Sequence, residues 1–338
     1  MTDGGAGRTP RKRPTLEDVA GRSGVSRALV SIVMRDVPGA SAETRKRVLA
    51  VAAELGYHPD ARAQLLARSR SRQLGVVFTS FHAFHADLLD GLYEAAGAAG
   101  YELILSAQTP SRDEESAVAT LLGYRCDALV LLGSELPARR LHELVARVPV
   151  VVIGRRVAGT KVDVVRTSDQ EGMRLAVDHL VDLGHRDIAH VDGGRSPKSA
   201  DRRRGYRMAV QRHGLDPRVY AGGQDAVGGA AGAGQLLADG PLPSAVVVFN
   251  DDAAVALVDA LTRAGVAVPG DVSVVGYDDS RLSRLPYVDL TTVGQDARRE
   301  AALAVERAVA WVESGESPGG EVVLPPHLVV RGTTAKLV

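Results

Sequence analysis

The sequence predicts a small all-α helix-turn-helix unit followed by an α/β body of two doubly wound parallel-sheet subdomains. Three observations carry this. Residues 15–57 hold three short amphipathic patterns separated by glycines. From Leu74 onward, short apolar runs alternate with helical stretches, and the same rhythm restarts after "TKVDVVRTSD". The net charge of zero is also unevenly distributed: residues 1–72 carry 14 Lys+Arg against 7 Asp+Glu, and the remainder carries 27 against 34. A basic head on an acidic body is the charge layout of a polyanion-binding module joined to something else.

Taking the elements in order, "RTPRKRP" within residues 1–14 reads as a disordered basic tail. Thr15 then suits an N-cap, with Asp18 at the capping-box position, and Leu16, Val19 and Ala20 share one helical face. Gly24 breaks the pattern and Ser26 caps a second helix near Arg27 to Met34, with Val30 and Val33 facing a core. "RDVPGA" ends it, and Ser41 caps a third helix with Val48, Ala52 and Leu55 inward and Gly56 as its stop. In a helix-turn-helix unit the second helix enters the major groove with its N-terminal residues nearest the bases. Arg27 and Ala28 then come first, Ile32 one turn on, and Ser31 near the DNA backbone. Arg27 has the two-pronged donor geometry that reads guanine, while Ala28 and Ile32 offer only apolar contact. Thr15, Ser26, Thr44 and Arg45 are candidate phosphate contacts, which position the helix without reading sequence. On pattern alone, three ordinary helices of a structural cap remain the alternative. Residues 58–72 combine a short helical pattern with Leu65 and Leu66 on a basic segment. They read either as a helix ordered only by a partner, its leucine wedged between base pairs, or as a flexible linker.

In the body, "LGVVF", "YELILS", "DALVLLG" and "VPVVVIG" are strands of the first half, and "DIAHVD", "SAVVVFN" and "VSVVGYDD" of the second. "LTTV", a long helix and two further strands, "EVVLP" and "HLVVRG", follow. Two such halves leave a cleft at the carboxyl ends of their strands. Phe84, Arg202, Asn250, Asp251, Asp278 and Asp279 fall there. An arginine, carboxylates, an amide and an aromatic face suit a polyhydroxylated ring. On residues alone, Asp278 also reads as a loop cap and "RRRG" as a solvated basic face.

Other classes are excluded or disfavoured. No run of 18 apolar residues and no secretory h-region occurs, so a soluble protein without membrane partners is expected. A single cysteine, Cys126, precludes an intramolecular disulfide and fits a reducing cytoplasm. "GESPG" at 315–319 matches a hydrolase string but follows a helix rather than a strand. Glycine-rich nucleotide motifs are missing, and His82, His85 and Asp87 suit a pocket wall better than a metal site. No catalytic residue, metal or cofactor is expected.

"TLEDVAGRSGVS", "SAETRKRVLAVAAELGYHPD", "HLVDLGHRDIAHV", "RRGYRMAV", "FNDDAAVALVDALTRAGVAVPGDVSVVGYDD", "LTTVGQD" and "HLVVRGTT" occur in order. Through them the chain from Thr15 to Thr333 resembles the LacI/GalR family of bacterial transcriptional regulators. The resemblance implies a helix-turn-helix domain at 15–57, a hinge helix and linker at 58–72, and a periplasmic-binding-protein-like effector domain at 73–338. Its N-subdomain would span about 73–163 and 294–319, and its C-subdomain about 164–293 and 320–338. It implies that Arg27, Ala28 and Ile32 read bases and that Leu66 inserts at the operator centre. It also implies that Arg202 and Asp278, with Asn250, Gln295 and Phe84, line the effector pocket. The expected protein is a cytoplasmic homodimeric repressor of carbohydrate genes, bound to a pseudo-palindromic operator and controlled by a small sugar or sugar phosphate. A solute-binding protein without DNA function and a purine-sensing regulator are the rival readings. Departures from the family pattern fall at His82, Ala83 and His85, at Gly154 where many members have aspartate, and at Leu29. The chain ends without leucine heptads, so a dimer rather than a tetramer is expected.

Overall fold

The computed structural model describes residues 14–34, 37–57, 70–80, 82–159 and 161–337. They form two compact units, Met1–Ser71 and Arg72–Val338. The expected basic tail (Pro14 excepted) and most of the hinge segment, including Leu66, lie outside the described residues.

The first unit is three helices, α1 (Leu16–Ser23), α2 (Arg27–Met34) and α3 (Ala42–Leu55). Thr15 and Asp18 close the capping box: the Asp18 N–H donates to Thr15 Oγ1 at 3.3 Å, and the Thr15 N–H donates to Asp18 Oδ2 at 2.7 Å. Gly24 ends α1 at φ 68°, a conformation costly for any residue with a Cβ. Ser26 and Ser41 accept from the Leu29 and Thr44 N–H groups. Val19, Ala20, Val30, Val33, Val48 and Ala52 make the core between the helices.

The second unit contains two six-stranded sheets. The first holds β1 (Gln73–Thr79), β2 (Glu102–Gln108), β3 (Ala128–Leu132), β4 (Val150–Ile153), β5 (Asp163–Thr167) and β11 (Glu321–Leu324), in the order β11-β5-β4-β3-β1-β2, all parallel. Helices α4 (Ala83–Ala98), α5 (Glu114–Gly123), α6 (Ala138–Val145) and α11 (Ala297–Ser314) cover it. The second holds β6 (Ile188–Val191), β7 (Arg218–Tyr220), β8 (Ala245–Val248), β9 (Ser273–Asp278), β10 (Thr292–Gly294) and β12 (His327–Val329), in the order β12-β10-β9-β8-β6-β7. Only β12 runs antiparallel there. Helices α7 (Asp169–Asp182), α8 (Ser199–Arg212), α9 (Ala226–Ala238) and α10 (Asp251–Arg263) flank it. Both faces of each sheet are buried, so strands such as "ALVLL" are apolar throughout, with Ala128, Val130 and Leu132 in one core and Leu129 and Leu131 in the other.

The subdomain boundaries differ from those expected. Residues 163–167 form β5 of the first sheet, so the first crossing falls at Ser168 rather than at 164. The two C-terminal strands, both expected in the C-subdomain, separate: β11 joins the first sheet and β12 the second. Pro325 and Pro326 lie between them and have no N–H to give a hairpin ladder. β10 likewise belongs wholly to the second sheet, which moves the middle crossing past 294. The crossings lie side by side, since the Ser168 N–H donates to Leu324 O at 3.0 Å. β7, three residues long, was not expected.

Candidate functional site

The head presents the N-terminal end of α2 on its surface. Arg27 and Ala28 are exposed, while Ser31 and Ile32 are half-buried one turn on. Arg27 pairs with Glu17 Oε1 at 2.9 Å, but both side chains are mostly exposed, so the pair is a weak tie that a stronger acceptor can displace. The proposed phosphate contacts already have structural duties. Thr15 and Ser26 cap helices, Thr44 Oγ1 accepts from the Ser41 hydroxyl at 2.9 Å, and Arg45 Nη2 donates to Val37 O at 2.9 Å. Their positions are therefore pre-set by the fold.

The second site lies between the lobes of the larger unit, at the carboxyl ends of both sheets. The cavity holds about 540 Å³ of empty space, part of it open to solvent. Phe84, Arg202, Asn250 and Asp278 line it, as do His82 and His85 from the departure "HAFH". Arg202 is 1% exposed and organises the floor. Its Nε donates to Asp169 Oδ1 at 2.8 Å, its Nη1 to Phe249 O, and its Nη2 lies 3.6 Å from Asp278 Oδ1. The guanidinium also stacks 3.6 Å from the Tyr277 ring centroid and 4.7 Å from that of Phe249. Burial raises the pKa of Asp278, opposed by Arg202, by Lys198 and by Gln295, whose Nε2 donates to Asp278 Oδ1 at 2.6 Å.

Gln295 therefore differs from the expectation: it stands behind Asp278 and is not among the cavity-lining residues. Asn250 lines the cavity but has its amide committed, Oδ1 to the Ala253 N–H at 3.0 Å as cap of α10, Nδ2 to Gln224 O at 2.9 Å. His85 accepts the Thr79 N–H on Nδ1 at 3.0 Å, which places its proton on Nε2. Burial and then Lys198 hold His82 down at about 4; burial and then His82 hold His85 well below its ordinary range, so both rings are neutral near pH 7. Asp87, grouped with these histidines in the sequence, instead binds Arg281 of the opposite lobe at 3.0 Å.

Sequence reasoning missed Asp169, Lys198, Gln224, Glu135 and Arg155. Lys198 precedes Arg202 by one helical turn, a spacing that would have flagged it. Glu135 and Gln224, whose Nε2 donates to Glu135 Oε1 at 3.3 Å, meet only because the lobes face each other.

A helix-turn-helix unit joined to a two-lobed binding cleft defines a class: a ligand-sensing, DNA-binding transcriptional regulator rather than an enzyme. Residues 15–60 match the family described as bacterial regulatory proteins, lacI family, and residues 177–334 match the periplasmic binding protein-like domain. The chain is 34% identical to the HTH-type transcriptional regulator GalR of Salmonella typhimurium, over 94% of this chain and 95% of that one. It is also 34% identical to the lactose operon repressor of Escherichia coli, over 96% and 91%. The crystal structure of the lac repressor dimer bound to operator and the anti-inducer ONPF aligns with TM-score 0.82 at 32% identity, covering 96% of this chain and all of that one, 100%. A LacI transcriptional regulator from a Rhodococcus species aligns with TM-score 0.76 at 47% identity, covering 78% and 98%. The chain belongs to the LacI family. Among the described residues no helix is long and apolar enough to cross a membrane.

Proposed function

We propose that this regulator is a cytoplasmic repressor of carbohydrate uptake or catabolism genes. It binds a pseudo-palindromic operator as a homodimer and is controlled by a small sugar-class effector in the cleft. The observation that carries this is the coexistence, in one chain, of an exposed N-terminal end of α2 and a polar cleft floored by Arg202 and Asp278. The solved structures of the lac repressor with operator and of the regulator CelR with cellobiose support it, the latter at TM-score 0.70 and 29% identity over 95% of this chain and 100% of that one.

In this reading Arg27, Ala28 and Ile32 contact base edges, and Thr15, Ser26, Ser31, Thr44 and Arg45 hold phosphates. Leu66 wedges at the operator centre. Arg202 and Asp278 take vicinal hydroxyls, with Phe84 as an apolar wall, Asn250 in the buried lining and Gln295 holding Asp278. The effector acts only through its different affinity for the lobe arrangements that do and do not favour DNA binding. The test is binding of the purified protein to genomic fragments, beginning upstream of its own gene, across a salt series. Saturable binding to a palindrome, weakening steeply with salt, sustains the reading. Equal affinity for all fragments at every salt overturns it.

A further inference from the structure

Resting on the cleft being the effector site, we infer that the effector carries an anionic group, a carboxylate or a phosphate, and that Lys198 holds it. Lys198 stands at the start of α8 in one lobe, and Gly154 follows β4 in the other. A Cβ built on Gly154 would lie 2.9 Å from both Cε and Nζ of Lys198. The lysine thus reaches across the cleft and fills the space that any side chain at 154 would need.

Asp278 and Glu300 feel the Lys198 charge, but neither forms an ion pair with it. Among the described residues the Lys198 ammonium makes no ion pair or side-chain hydrogen bond, although it lines the cavity. The nearby carboxylates are committed elsewhere: Asp278 to Arg202 and Gln295, Asp252 to the Ala83 N–H, Glu135 to Gln224. Of the cationic side chains that line the cavity, Arg202 is paired with Asp169 and Asp278 whereas Lys198 is in no ion pair, and the two histidines are neutral.

Unused donors add to this. Arg202 Nη2 and Arg155 Nε are buried without a hydrogen-bond acceptor, and His85 bears its proton on the Nε2 side, beside Gly133 of the cavity wall. A neutral polyol consumes donors and acceptors alike, whereas a carboxylate or phosphate consumes donors only. Unpartnered donors beside a lysine that has no ion pair match the second ligand class.

Isothermal titration of the full-length protein distinguishes the cases. The probes are glucose and galactose, their 6-phosphates, glucuronate and galacturonate, and inorganic phosphate as a sugar-free probe. The proteins are wild type, Lys198→Met and Lys198→Arg, with a thermal melt to confirm folding. The expected result is that a charged sugar binds more tightly than its neutral parent, and whether phosphates or uronates win identifies the group. Lys198→Met should weaken that binding about tenfold or more, while Lys198→Arg retains most of it. Inorganic phosphate binding lost in Lys198→Met, with no sugar bound, sustains the anion site and overturns the sugar reading alone. A neutral sugar bound as tightly as its charged forms, or anion binding unchanged in Lys198→Met, overturns the inference and leaves the effector site standing. Failure of every probe counts against both.

Discussion

Asp278 and Asp279 adopt φ 121° and 49°, a region that non-glycine residues enter only under constraint. The constraint is visible: the Asp279 N–H donates to Thr292 Oγ1 at 3.4 Å, Arg331 Nη2 donates to Asp279 Oδ1 at 2.6 Å, and the Ser280 N–H donates to Asp251 Oδ2 at 2.7 Å. Backbone strain is thus held where the cleft carboxylate must point at its ligand. A second residue-scale tension is Glu300, fully buried beneath the lobe crossings, with Oε1 accepting the Thr167 hydroxyl at 2.7 Å and Oε2 unpartnered. Burial pushes its pKa up to about 7, against an opposing pull from Lys198. A raised carboxyl contributes stability at pH below its unfolded value and loses it as pH rises through the folded one. Glu300→Gln should therefore gain stability relative to wild type between about pH 5 and about pH 8, by up to about 3 kcal/mol, checked by melts at both pH values. At the head, Arg27→Ala should cost about 1–3 kcal/mol on a specific site, and much less on random DNA, by fluorescence anisotropy. Its melting should barely change, because the Arg27–Glu17 pair is exposed. Asp278 and Asn250 were legible because strand ends aim residues at a cleft, and Phe84 and Arg202 because they open the helices that follow such strands. Glu135 and Gln224 were not, because what they meet is set by the facing lobe, whereas Lys198, one turn before Arg202, had a spacing signal that was passed over.

Among the elements, α9 is unusual in carrying four glycines, "AVGGAAGAGQLLA". Each glycine in a helix interior costs about 1 kcal/mol relative to alanine, so the helix must recover this through packing. A Cβ at Gly229 would stand 2.1 Å from Ala253 O of α10, and one at Gly232 would stand 2.5 Å from Val191 Cγ1. Nothing lies within 4 Å of a Cβ at Gly234. Gly229→Ala should thus destabilise the protein by about 1–3 kcal/mol as two backbones are forced apart. Gly234→Ala should be neutral or stabilising by up to about 1 kcal/mol, and chemical denaturation of both variants checks the contrast. The same scale explains what the sequence concealed. Capping residues and apolar runs marked most helices and strands, including the three head helices. β7 is too short for a periodic signal, and the sheet that β11 or β12 joins depends on tertiary partners rather than on its own residues.

At the scale of the whole molecule, the lobes are tied across the cleft by Arg281 to Asp87 at 3.0 Å, Gln224 to Glu135 at 3.3 Å, and the Ala83 N–H to Asp252 Oδ2 at 3.3 Å. The chain crosses between the lobes three times, at Ser168, at Gln295–Asp296 and at Pro325–Pro326, and the first and last crossings meet where the Ser168 N–H donates to Leu324 O at 3.0 Å. Two of them adjoin cleft machinery: Gln295 donates to Asp278, and Asp169, next to Ser168, accepts from Arg202. A ligand that binds Arg202 and Asp278 therefore touches side chains held from two of these crossings. The family resemblance was legible from Thr15 to Thr333, but the paths of these crossings were not. The most direct measurement is the affinity of the full-length protein for its specific DNA site, by fluorescence anisotropy, with and without a saturating cleft ligand. The expected result is a change of about 5- to 150-fold, abolished in Arg202→Ala, whose cleft no longer binds the ligand. Identical DNA affinity in the presence and absence of a ligand shown by titration to occupy the cleft would contradict it.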